Sequence, residues 1–158
     1  MIISLYPQLY QHMRIVVQRV KRASVTVDGS VTGEISKGLL LRVGIHENDE
    51  DDQLRWCCDK ISKLRIFEDD EGKMNRSVQD VDGEILVVSQ FTLYGNSKKG
   101  TRPSFIEAAR PEKAEPMYER VIERFKKITG LKVASGEFGA MMDVELVNDG
   151  PVTLIVEK

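Results

Sequence analysis

Histidine and cysteine are both scarce in this 158-residue chain, with two of each. Each scarcity removes a class of chemistry. The cysteines, Cys57 and Cys58, are neighbours, and neither a C-x-x-C spacing nor a Cys/His pair accompanies them to build a zinc site. They read as reduced thiols in a cytoplasmic protein, at least one of them packed in the core. The histidines are His12 and His46, so a Ser/His/Asp triad lacks an evident base. No H-E-x-x-H, Walker loop or G-x-G-x-x-G occurs, which leaves metalloprotease, NTPase and dinucleotide readings without their signatures. The acidic run Glu68 to Glu71 lacks the EF-hand pattern and reads as a solvated turn. No apolar stretch approaches the roughly 20 residues that span a bilayer, so no membrane partner is expected. Net charge is only −2, and any contact with nucleic acid must therefore be local.

What is present fits one globular domain. Hydrophobic residues make up 41% of the chain and charged residues 30%, a soluble balance at a length that buries a real core. Residues 1–12 read as an extension, loosely ordered or produced by an upstream start codon: they lack a basic n-region, and Pro7 breaks their apolar run. The domain is placed at residues 13–158. MRIVVQRV and VTV read as two strands separated by the polar KRAS, with Asp28-Gly29 as a hairpin turn. LLLRVGI, residues 39–45, reads as a buried strand. Asn48 or Asp49 is placed to cap a helix bearing the stripe Leu54, Cys57 or Cys58, Ile61 and Leu64.

A second helix opens at Pro111, buries Met117, Val121, Ile122, Phe125 and Ile128, and stops at Gly130. Pro116 conflicts with it, either kinking the helix or marking its true first turn. EILVVSQFTLY, residues 84–94, reads as the strongest strand. Further strands are expected near 131–134, 141–147 and 151–157. The fold class is α+β: a small, mainly antiparallel β-barrel or sheet with two packed helices.

Two polar interruptions remain in apolar strands, SQFTLYG at 89–95 and NDGPVT at 148–153. Pro lacks the N–H that a ladder uses and Gly weakens a strand, so the second marks a rigid turn. Taken alone, Ser89 and Thr92 fit the wet face of a strand, and Gly150-Pro151 fits an ordinary turn, as well as either fits a site.

RIVVQRV, SQFTL, RPSF (102–105) and FGAMM leading into VNDGPVT occur in one order from Met13 to the C-terminus. This set resembles the D-aminoacyl-tRNA deacylase family. The resemblance implies a small β-barrel with helices, an active homodimer, and hydrolysis of the ester joining a D-amino acid to the terminal adenosine of tRNA. It implies no cofactor and no metal. It further implies a cis Gly150-Pro151 bond inserted into the neighbouring subunit's pocket, where its carbonyl oxygens hold the substrate ammonium and exclude an L side chain. Glycine, lacking a side chain, would pass as a secondary substrate.

Ser89, Gln90, Phe91 and Thr92 would line the ester, with main-chain N–H groups near Phe91 and Thr92 as an oxyanion hole. A water helped by the tRNA 2′-OH would attack. Arg19 would fix the gate, and Phe138, Gly139 and Ala140 would form the adenine pocket, though core packing also suits Phe138. Lys98, Lys99 and Arg102 are phosphate contacts or solvated charges. A non-catalytic nucleic-acid-binding dimer and a Thr92-nucleophile esterase are the rival readings.

Overall fold

The computed structural model describes residues 12–158; the extension proposed from the sequence, apart from His12, lies outside the described residues. His12 itself is tied to the domain, its N–H donating to Lys158 O at 2.8 Å.

Strand β1, Arg14–Val27, is one strand of 14 residues rather than the expected two. The polar Lys21 and Arg22 do not interrupt it, because the ladder with β8 (Asp143–Glu157) shifts register on either side of Val20. Such bulges re-aim side chains. Before them Ile15 and Val17 face one apolar cluster; Val20, Ala23 and Val25 face a second. Lys21 and Arg22 stay at the surface.

Asp28 and Gly29, with φ of 48° and 79°, make the tight turn into β2, Ser30–Ile35. Strand β3, Gly38–Gly44, pairs antiparallel with β1 and parallel with β6, Glu84–Ser89; β6 is in turn parallel to β7, Val133–Ser135. The sheet is therefore mixed. Antiparallel pairing holds among β1, β2, β3 and β8, while the two parallel seams carry the helical crossovers that parallel strands require. Sheet order is β2-β1-β3-β6-β7. Its edges nearly meet: a Cβ on Gly33 of β2 would lie 2.5 Å from Ser135 O of β7. The α+β barrel expected from the sequence is the observed fold.

Helix α1, Asp51–Lys63, lies in the first crossover and α2, Pro111–Thr129, in the second. A short hairpin, β4 (Phe67–Glu68) and β5 (Met74–Arg76), follows α1 and turns through the acidic run at 68–71. The predicted stripes are buried: Leu54, Cys57, Cys58 and Ile61 on α1, and Met117, Val121, Ile122 and Phe125 on α2. Pro116 sits inside α2 without ending it. Burial of the apolar face outweighs the one hydrogen bond lost there.

The helix cap differs from expectation. Glu50 is the N-cap of α1 and its N–H donates to Gln53 Oε1 at 2.9 Å. Asp49 is instead buried, accepting the His46 N–H at 2.7 Å.

Burial pushes the Asp49 carboxyl up to about 6. Its folded value exceeds the unfolded one, so its contribution to stability is complete below about pH 4 and is lost as pH rises through 6. Thermal unfolding of the parent and Asp49→Asn between pH 4 and 7 should therefore show the balance moving toward the variant as pH rises. Burial likewise pushes Cys57 up to about 12 and raises Cys58. Thiol titration at pH 8 is expected to find both cysteines unreactive in the folded protein and both reactive in denaturant.

Candidate active site

In the β1–β8 ladder Val20 pairs with Asn148 and Gln18 with Thr153, so residues 149–152 on β8 face Arg19 alone on β1. The Gly-Pro element is thus a bulge within one long strand, a position where a missing ladder donor is tolerated. Asn148 closes its base: Nδ2 donates to Arg19 O at 2.9 Å and to Val152 O at 3.2 Å. The Thr153 hydroxyl donates to Asn148 Oδ1 at 3.3 Å.

Arg19 is 5% exposed. Its Nε donates to Asp149 O at 3.2 Å and lies 3.3 Å from Asp149 Oδ2, while Nη1 donates to Ile66 O at 2.7 Å. A buried charge is tolerated only when satisfied in this way. Gly150-Pro151 is cis and Gly150 has φ +124°. A Cβ on Gly150 would stand 2.9 Å from Val152 Cγ2 and 3.1 Å from Arg19 Nη2. Glycine is thereby required by both torsion and space. Gly150 and Pro151 themselves are exposed.

The strand expected over residues 84–94 ends at Ser89, and Phe91–Tyr94 form a 3-10 turn. The apolar run stops at Val88, and Gln90 makes the last ladder bond, its N–H to Val43 O at 2.8 Å. Tyr94 is the buried anchor: its hydroxyl donates to Gly44 O at 3.1 Å and also meets His12 O. Burial raises its pKa, which keeps it a donor. Arg14 steadies the turn, with Nη1 donating to Leu93 O at 2.7 Å. The first internal bond of the turn is Leu93 N–H to Gln90 O, 3.2 Å. The N–H groups of Phe91 and Thr92 precede it and are left to outside acceptors.

Sequence reasoning missed Arg42. Its Nη1 donates to Gln90 Oε1 and its Nε to Gln18 Oε1, each at 3.3 Å, while Gln90 Nε2 donates to Thr92 Oγ1 at 2.5 Å. A guanidinium only donates, so Gln90 must turn its oxygen to Arg42 and its NH2 to Thr92. The Thr92 hydroxyl then accepts from Gln90 and keeps its hydrogen for something else. Burial lowers the Arg42 pKa from its usual value. The one available signal was an arginine in the apolar stretch LLLRVGI.

Phe138, Gly139 and Ala140 follow β7, whose residue Ser135 pairs in parallel with Val87. They therefore lie past the same strand ends as Gln90. Phe138 is half-buried, its ring 5.7 Å from that of Tyr118 and packed on the helix-side cluster. Gly139, with φ +77°, is exposed in the turn. Phe91 is 58% exposed and meets Phe105 edge to face at 5.3 Å.

The Gly-Pro bulge and Arg19 stand apart from Ser89 to Thr92. Arg19 lies four positions along β1 from Ile15, which pairs with Val43 beside Ser89, a separation of roughly 13 Å along the strand. Among the described residues, no hydrogen bond or ring contact joins Gly150 or Pro151 to residues 89–92. His46 offers Thr92 no help as base through Nδ1, which accepts the Asn48 N–H at 3.0 Å. Among the described residues no His/Cys/Asp/Glu group is arranged to hold a metal, and no helix is long and apolar enough to cross a membrane.

A family model described as D-Tyr-tRNA(Tyr) deacylase matches residues 16–157. A D-aminoacyl-tRNA deacylase of Exiguobacterium sibiricum is 60% identical over 146 residues, which cover 92% of this chain and 100% of that protein. One of Chloroherpeton thalassium is 58% identical, covering 92% and 96%. A solved structure described as c-Myc DNA Unwinding Element Binding Protein is 43% identical with a TM-score of 0.86, covering 92% of this chain and 98% of that one. A second, of a probable eukaryotic D-amino acid tRNA deacylase, shares the fold at a TM-score of 0.81 and 17% identity, over 92% and 99%. With a family model matched across nearly all of the described strands and helices, and relatives near 60% identity along their whole length, the chain belongs to the D-Tyr-tRNA(Tyr) deacylase family.

Proposed function

We propose that this chain is a D-aminoacyl-tRNA deacylase that hydrolyses the ester between a D-amino acid and the terminal adenosine of tRNA. It acts as a cytoplasmic homodimer in which the 149–152 bulge of one protomer enters the Ser89–Thr92 site of the other. The observation that carries this reading is the bulge itself: clamped from beneath by Arg19 and Asn148, exposed at Gly150-Pro151, and roughly 13 Å along the sheet from its own chain's Ser89. A rigid element of this kind, built away from its own site, suits action on a partner copy.

Its main-chain carbonyl oxygens are acceptors for the substrate ammonium. They leave no room for an L side chain on the same α-carbon, so chirality is read by backbone and by exclusion. Glycine escapes that exclusion and is a secondary substrate.

At the ester, water adds to the carbonyl carbon, assisted by the neighbouring ribose 2′-OH. The C–O bond to the ribose then breaks, and the ribose oxygen takes up a proton. The Phe91 and Thr92 N–H groups stabilise the oxyanion; one such donor is typically worth about 3–4 kcal/mol in the transition state. Thr92, with its oxygen engaged by Gln90 Nε2, is a hydrogen-bond donor rather than a nucleophile. Phe138 and the 139–140 turn border the adenine. Neither a cofactor nor a metal enters these steps.

A non-catalytic nucleic-acid-binding role is the second reading, favoured by the 43% identity to a protein described as a DNA unwinding element binding protein. Turnover separates the two.

With chelator present, the protein is expected to deacylate D-tyrosyl-tRNA rapidly and to leave L-tyrosyl-tRNA at its spontaneous rate. Gly150→Ala should lower kcat/KM for the D-ester by about 10- to 100-fold, the cost of forcing a side chain onto φ +124°. Thr92→Ala should retain activity within about tenfold; abolition would return the threonine-nucleophile mechanism. Absence of cleavage of either ester would leave the binding reading.

A further inference from the structure

From Ile85 to Ile106 the sequence carries no acidic residue, although the chain as a whole is slightly acidic. Lys98, Lys99 and Arg102 fall within that stretch, on a loop whose side chains are exposed, and none has a carboxylate partner among the described residues. The loop is a built projection. Asn96 and Ser104 exchange both main-chain hydrogen bonds, at 2.8 and 2.9 Å, and so pinch its neck. Asn96 Oδ1 also accepts the Lys98 N–H at 3.0 Å, and Gly100 turns the tip at φ +65°.

The neck is fastened to the candidate active site. The Phe105 ring packs over Gly95, where a Cβ would come within 3.0 Å of its Cε1, and meets Phe91 edge to face. The loop that carries the three cations is therefore rooted beside the 3-10 turn that bears Thr92. An exposed aromatic ring next to unpaired cations is the combination that single-stranded nucleic acid selects, with bases on the ring and phosphates on the cations.

We propose that the 96–104 loop binds the sugar–phosphate backbone of the single-stranded 3′ end of tRNA, on the 5′ side of the adenosine that carries the ester. This rests on the deacylase reading and adds how the polynucleotide, as distinct from its aminoacyl end, is held. Lys98, Lys99 and Arg102 are positioning residues: they touch phosphates and no reacting atom. An ester on a lone adenosine has no phosphate for them to hold.

The test compares the full-length protein with the triple variant Lys98→Gln/Lys99→Gln/Arg102→Gln on D-tyrosyl-tRNA and on D-tyrosyl-adenosine. For tRNA, three phosphate contacts to a single strand make kcat/KM of the parent fall by about tenfold or more between 50 and 200 mM salt. The variant is expected to lose most of that dependence, to have a KM raised about tenfold at 50 mM salt, and to keep kcat. Cleavage of D-tyrosyl-adenosine should be the same for both proteins.

Unchanged tRNA kinetics and salt slope in the variant would overturn the proposal and leave a solvated loop. Equal losses on both substrates would also overturn it, making the loop a support of the site. Should the parent cleave neither ester, the deacylase reading fails separately, and anisotropy of a labelled oligoribonucleotide ending in CCA, with the same salt series, still decides whether the loop binds the strand.

Discussion

A buried guanidinium cannot be left without acceptors, and Arg19 meets that demand with the main chain. Its fork takes Asp149 O and Ile66 O, and the Asp149 carboxylate stands beside it. Because those acceptors are carbonyls, the charge organises backbone rather than side chains. The 149–152 bulge is the part of β8 that it shapes. Asn148 completes the arrangement from the strand side by bonding across the base of the bulge, and Gly150 is the residue that leaves room for Arg19 Nη2. Without the arginine, the bulge would keep its sequence and lose the reason for its shape.

The second constraint is the pair of parallel seams joining β3, β6 and β7. Parallel pairing sets the carboxyl ends of these strands side by side, so the residues that follow them cluster although they are distant in sequence. Gln90 to Thr92 follow β6, Phe138 to Ala140 follow β7, and Arg42 sits near the end of β3. The helical crossovers that such pairing demands supply the cover for one face, and the barrel interior supplies the second apolar cluster.

Polarity within the cluster is directional. Arg42 has only hydrogens to give, and it takes the Gln90 oxygen; Gln90 is then left to donate to Thr92. The same Arg42 reaches Gln18, whose ladder partner Thr153 bonds to Asn148. Arg42 thus ties the 3-10 turn to β1 at Gln18, and the β1–β8 pairing sets Gln18 opposite Thr153 at the foot of the bulge. These bonds hold geometry on β1, β3 and the turn after β6, with a separate one on β8.

Local pattern alone determined the two helices, since the stripes at 54–61 and 117–125 need no partner to be recognised, and the Asp28-Gly29 turn, since its positive φ values are a property of those two residues. It also marked Gly150-Pro151 as a break in a ladder, because proline has no N–H to contribute. The motif resemblance pointed to Ser89 to Thr92, Arg19 and Phe138 to Ala140 as candidates. Tertiary structure decided the rest. Whether KRAS ends a strand depended on β8 accepting a register shift, and whether SQFTLY continues one depended on Tyr94 finding Gly44 O. Asp49 left the helix cap for a buried bond to His46, and Phe138 committed its ring to Tyr118. Arg42 was unreadable as a site residue because its meaning lies in Gln18 and Gln90, 24 and 48 residues away. Propensity is a property of neighbours in the chain, whereas hydrogen-bond satisfaction is a property of neighbours in space.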